Sequence, residues 1–151
     1  MERGRRMKAI NYLKQIKFMD SRIDINQQEL ESLTALATKT TSVMGGERVQ
    51  SSGSQQKMAD CVVKIVSLQD QITKEIDSFI DYKQDVIRMI QNACDADCIK
   101  LLHKRYFQYK TWEQIAVEMD FTYKWVSCGL HQKALSQLQR KLDEIYGKDG
   151  T

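Results

Sequence analysis

The sequence predicts an all-α protein: a long N-terminal antiparallel helical hairpin followed by a helix-turn-helix domain. Three observations carry this. The 151 residues include no proline and only seven glycines, the two residue types that interrupt helices most strongly. Apolar residues recur at spacings of three and four almost throughout, the period of a helix face. A heptad seam, and then a capped pair of helices around a short turn, give the order of the elements.

The first element starts near Tyr12. Tyr12, Ile16, Met19, Ile23, Asn26, Leu30, Leu33 and Ala37 alternate spacings of four and three, which is a heptad seam. Some thirty helical residues would span ~45 Å. Met44-Gly45-Gly46 and Ser51-Ser52-Gly53-Ser54 then mark a flexible connection, a loop placed at about residues 41–57. A second long pattern runs through Met58, Cys61, Ile65, Leu68, Ile72, Ile76, Phe79, Val86 and Ile90. Its slip between Ile72 and Ile76 reads as a stutter.

Two amphipathic helices paired only with each other leave a thin core. A second hairpin from another copy would cover it as a four-helix bundle, with Asn26 fixing the register. Alternatively the C-terminal helices fold back over it. The expected organisation is residues 1–93 as an oligomerisation hairpin, 94–146 as the helix-turn-helix domain and 147–151 as a tail.

The C-terminal part is the most informative. Thr111 and Gln114 have the spacing of a capping box, in which hydroxyl and amide satisfy each other's backbone N–H groups. Ile115, Ala116 and Met119 share one face, and small Ala116 lets a second helix approach. Asp120-Phe121-Thr122 breaks the pattern, and Thr122 can cap the next helix. Val126 packs back onto the first helix, and Leu130, Ala134, Leu138 and Leu142 continue that face. A pair of helices joined in this way fits one helix into the major groove of double-stranded DNA.

Net charge is only +3, so composition does not announce a nucleic-acid binder; its distribution says more. Residues 1–17 carry Arg3, Arg5, Arg6, Lys8, Lys14 and Lys17 against Glu2. Residues 122–142 carry Lys124, Lys133, Arg140 and Lys141 and no acid, whereas 111–120 carry Glu113, Glu118 and Asp120 and no base. Phosphate favours the basic second helix.

Leu102-His103-Lys104-Arg105-Tyr106, Thr111-Trp112-Glu113-Gln114-Ile115-Ala116, Val126 and Ala134-Leu135-Ser136-Gln137-Leu138 together resemble the fourth region of bacterial sigma factors. The resemblance is strongest over residues 98–142. The whole chain is similar to small phage and prophage transcriptional regulators of the late-operon type, the ArpU and RinA families and their relatives. Stretches 47–54 and 79–83 share in this more loosely. The resemblance implies a cytoplasmic regulator in a bacterial host that reads a promoter element and has RNA polymerase as a second partner. Two positions depart from the pattern: Asp120 stands where glycine is usual, and Gly129 where an aliphatic residue is usual. Asp tolerates the left-handed conformation better than most residues. Gly129 kinks the helix, shifts its packing to Leu130 or allows a close backbone approach.

If the second helix starts at Thr122, its first turns enter the groove. Tyr123, Lys124, Ser127 and Cys128 then face outward, with His131 a turn later and Lys133 beyond. Lys124 suits guanine or phosphate, Ser127 several bases, and Tyr123 phosphate or a thymine methyl. Lys110 and Thr111 suit phosphate at the helix N-terminus. In an antiparallel hairpin the basic segment from Arg3 to Lys17 lies near the DNA-reading end, where Arg3, Arg5, Arg6 and Lys8 add phosphate contacts. Trp125 faces either DNA or core, with core favoured; Trp112 braces Leu102 and Tyr106.

Other chemistries find little support. Cys94, Cys98, Cys128 and His131 contain a zinc ligand set, but nothing forces the two pairs together; buried small hydrophobes explain the cysteines better. No metal, cofactor or catalytic residue is expected: Cys-x-x-Cys and phosphate-loop motifs are absent. No apolar run approaches membrane-spanning length. The competing function is an adaptor of phage assembly or packaging whose helices grip a protein partner.

Overall fold

The computed structural model describes residues 6–44 and 52–147. The regular structure is helical throughout, with no strand among the described residues. The α-helices are α1 (Ala9–Met44), α2 (Ser52–Ala93), α3 (Ala96–Leu102), α4 (Trp112–Met119) and α5 (His131–Tyr146). Two π-helical segments, His103–Phe107 and Trp125–Leu130, continue α3 and lead into α5. Arg3, Arg5, the glycines at 45 and 46, and most of the tail fall outside the described residues. No helix among the described residues is long and apolar enough to cross a membrane.

The chain forms two compact units, Met1–Phe18 with Ile80–Thr151, and Met19–Phe79. Both long helices contribute to both units. In the second unit every seam position is buried or half-buried, from Met19 to Ala37 on α1 and from Met58 to Phe79 on α2. Among the described residues there, Ile23 and Ile72 are the buried ones. The helices meet at a polar layer: Asn26 Nδ2 donates to both carboxylate oxygens of Glu75, at 3.1 and 2.8 Å. Gln71 Nε2 donates to the same carboxylate at 2.9 Å, and Arg22 Nε lies 3.6 Å away. Asn26 is therefore matched inside the chain, by a charge-assisted pair that one helical register satisfies.

The first unit has the larger core. Leu13 and Ile16 of α1 and Val86 and Ile90 of α2 are buried. So are Cys98, Leu101, Leu102, Ile115, Ala116, Val126, Leu130, Ala134, Leu138 and Leu142 from the C-terminal helices. Of the two expected ways to cover a thin two-helix core, the ends of α1 and α2 take the second. The Tyr82 hydroxyl donates to the Tyr12 carbonyl at 2.7 Å, and the two rings meet edge to face. Gln139 clamps the start of α1: its Oε1 accepts from the Ala9 N–H at 2.8 Å and its Nε2 donates to the Met7 carbonyl at 2.9 Å.

Asp95 anchors α3 in two ways. It caps the helix by accepting from the Cys98 N–H at 3.1 Å. It also exchanges hydrogen bonds with Gln137 of α5, both at 3.1 Å, and pairs with Lys133 Nζ at 2.9 Å. These contacts hold the Asp95 carboxyl well below the usual carboxylate range, the Lys133 bond contributing most. Cys98 is fully buried, and burial pushes its thiol up to about 12 and that of half-buried Cys94 up to about 11. Neither is primed as a thiolate nucleophile.

Candidate nucleic-acid interface

The local signals of the sequence fold as their chemistry requires. Thr111 and Gln114 form a reciprocal capping box: Gln114 N–H donates to the Thr111 hydroxyl at 3.2 Å, and Thr111 N–H to Gln114 Oε1 at 2.9 Å. Asp120 takes the left-handed conformation, φ 57° and ψ 43°. The Phe121 N–H reaches back to the Ala116 carbonyl at 3.0 Å and that of Asp120 to Val117 at 3.3 Å, the paired bonds of a Schellman turn. Thr122 accepts from the Trp125 N–H at 3.2 Å and opens the next helix.

That helix begins with the π-helical segment. Its buried side chains Val126, Leu130, Ala134, Leu138 and Leu142 are spaced by four throughout. At 3.6 residues per turn, each such step drifts by about 40° around a regular helix. The wider turn over Trp125–Leu130 takes up part of that drift and puts Leu130 in the core, 2% exposed. Gly129 serves a second purpose: a Cβ there would fall within the Trp125 indole. Packing through Leu130 is as expected, but what comes close to Gly129 is the Trp125 side chain and not a backbone.

The exposed side chains of the segment are Thr122, Tyr123, Lys124, Trp125 and Cys128, while Ser127 is half-buried. Ser127 Oγ donates to the Tyr123 carbonyl at 2.8 Å. Tyr123 is 51% exposed and Trp125 43%. Trp125, for which the sequence leaves DNA and core both open with packing slightly favoured, lies along its own helix with more than a third of its surface open. A glycine one helical turn after a tryptophan was the signal that could have found this. On α4, Val117 is 82% exposed beside this surface in sequence and was not anticipated.

His131 is a correction. Expected to face outward, it is half-buried, with Nε2 2.8 Å from the Tyr106 hydroxyl. Its ring stacks near Tyr106 and meets Trp112 edge-on at 4.8 Å. The Arg105 guanidinium covers Trp112 at 4.4 Å and donates to the Lys110 carbonyl at 2.9 Å. Burial, then the charges of Arg105 and Lys14, hold His131 below its usual value; burial pushes Tyr106 up to about 12. Trp112 thus packs against His131 and Arg105, and His131 meets both Trp112 and Tyr106.

The cations divide. Lys124 is exposed at the start of the segment. Lys110 pairs with Glu118, which also lies 3.5 Å from Lys104, and these lysines hold the Glu118 carboxyl below its usual range. Lys133 pairs with Asp95. Arg6 forms a bidentate pair with Asp143, with Nε at 2.9 Å from Oδ1. Asp143 lies nineteen residues beyond Lys124, roughly 28 Å along a helix. Arg6 and its neighbour Lys8 therefore accompany the later turns of α5, not the start of the second helix as expected. At the other end of the same segment, Lys17 Nζ stands 5.7 Å from the Tyr109 ring centre, next to the entry into α4, and the Lys14 charge acts on His131.

In comparison with known proteins, no family model matches the chain, and neither a curated protein nor a solved structure matches it.

Proposed function

We propose that this chain is a sequence-specific DNA-binding regulator of phage or prophage type, reading duplex DNA through the helix that follows Asp120. The observation that carries the reading is the two-sidedness of that segment. Val126 and Leu130 fix one side in the core, and Tyr123, Lys124, Trp125 and Cys128 stand on the other with no segment of the described chain over them. The basic excess of residues 122–142 suits phosphate. Thr111 and Lys17 supply a polar and a positive group at the entry to α4, where a helix N-terminus favours an anion, and Lys110 would have to exchange Glu118 for phosphate. No catalytic group or cofactor enters the reading.

The helices of the second unit are the proposed dimerisation element, and RNA polymerase is the proposed second partner. One observation favours the adaptor reading: Ile25, Leu36, Val62, Val63 and Val66 are each at least half exposed, more apolar side chain than a thin two-helix core leaves comfortably in water.

The test is binding of the full chain to phage and prophage DNA fragments at two salt concentrations. Affinity should fall steeply with salt, and Lys124→Ala should reduce the salt slope by about 1 if it meets a phosphate, or relax sequence preference if it meets a base. Absence of DNA binding at the lower salt, together with dimerisation, would favour the adaptor.

A further inference from the structure

The exposed side of the segment differs from the one its spacing suggested. His131 has turned inward to Tyr106 and Trp112, and Trp125 has come out. Tyr123, Lys124, Trp125 and Cys128 are exposed, while Val126 and Leu130 are buried. The outward set Tyr123, Lys124, Trp125 and Cys128 contains a single cation. Its other members present rings and a thiol. The indole is held in place: Gly129 leaves the space into which the ring settles, with Cδ2 3.2 Å from where a Cβ would stand. A fixed, flat, half-covered apolar surface loses little freedom on contact.

Resting on the DNA-binding reading, we propose that Trp125 is a specificity-determining residue that reads the C5 methyl groups of thymine in the major groove. The thymine methyl is the one apolar group on the major-groove edge of a base pair, and apolar side chains recognise it by contact. An indole with one N–H has little to offer the donor and acceptor code of guanine or cytosine. Lys124, one residue earlier, holds the backbone or a neighbouring purine, and the basic excess of residues 122–142 brings the segment to the duplex. The preferred site therefore carries thymine at fixed positions beneath the first turn of the segment.

The experiment uses the full chain and a pool of random-sequence duplexes. Bound duplexes are enriched, and the selected site is resynthesised with deoxyuridine in place of thymidine, one position at a time. Deoxyuridine removes the methyl and leaves base pairing unchanged. Binding should weaken about fourfold for each methyl that Trp125 covers, the worth of one buried carbon. Trp125→Ala should bind thymine and uracil duplexes equally, as expected when one partner of a coupled pair is gone. Selected sites that bind equally well with uracil at every position would overturn the assignment of Trp125 and leave DNA reading intact. Failure to enrich any duplex would overturn both. Sensitivity to uracil that persists in Trp125→Ala would assign the methyl contact to another side chain.

Discussion

Gly129→Ala tests the packing of the segment most directly, because two effects of opposite sign compete. In an ordinary helix interior, alanine is the better residue by ~1 kcal/mol. At 129 the added Cβ would fall within the Trp125 indole, so the ring must leave its seat. Trp125 is 43% exposed, so a little over half of it is covered. For an aromatic side chain that buries about 200 Å² in full, roughly 110 Å² would return to water. At ~25 cal/mol per Å² this costs up to ~3 kcal/mol, an upper bound because the unfolded chain already covers part of the ring. The net expectation is a loss of ~1–2 kcal/mol. In a Trp125→Ala background the conflict is gone, and Gly129→Ala should stabilise by ~1 kcal/mol. Denaturant unfolding followed through Trp112, which is present in all four proteins, gives the cycle. Equal stabilisation in both backgrounds would refute the account of Gly129.

Three further outcomes follow from the same unit. Val126 is fully buried, so Val126→Asp, by burying a charge with no partner, should unfold the C-terminal helices, seen as loss of helical circular dichroism; a folded variant would contradict the assigned core. His131 is held below its ordinary value chiefly by burial, so the unfolded chain takes up the proton first. Stability should fall as pH drops below about 6.5 and stop falling below the folded-state value, and His131→Gln should lack this component of the melting profile. Asp95 caps α3 and meets Lys133 and Gln137; Asp95→Ala should destabilise by about 1 kcal/mol, the usual worth of a cap, because the exposed Lys133 pair adds little in salt. Since the Asp95 carboxyl lies below the ordinary range, its contribution is present at neutral pH and is lost as pH falls below about 4.

What could be read in the chain is what neighbouring residues decide among themselves. The Thr111–Gln114 box, the left-handed Asp120 and the Thr122 cap each lie within three or four residues of their partners. The seam from Tyr12 to Ala37 is a matter of period alone, and its members are all withdrawn from solvent. The even spacing of four from Val126 to Leu142 is written in the chain too, and the π-helical turn over Trp125–Leu130 accommodates part of it. In all these cases the determining interaction is local, so its partners are written side by side.

Tertiary packing decided the rest. His131 left the outward face because Tyr106, twenty-five residues earlier, supplies a hydrogen-bond partner for a ring nitrogen. Arg6 is drawn to α5 by Asp143, 137 positions away, and Lys110 and Lys133 are engaged by Glu118 and Asp95. The ends of α1 and α2 bury Leu13, Ile16, Val86 and Ile90 in the first unit, while Ile23 and Ile72 are buried in the second. Periodicity says that a side chain is apolar or charged and which face of a helix it occupies. Which surface covers that face, and which opposite charge reaches it, depends on residues remote in sequence that only the folded chain brings within a few ångströms.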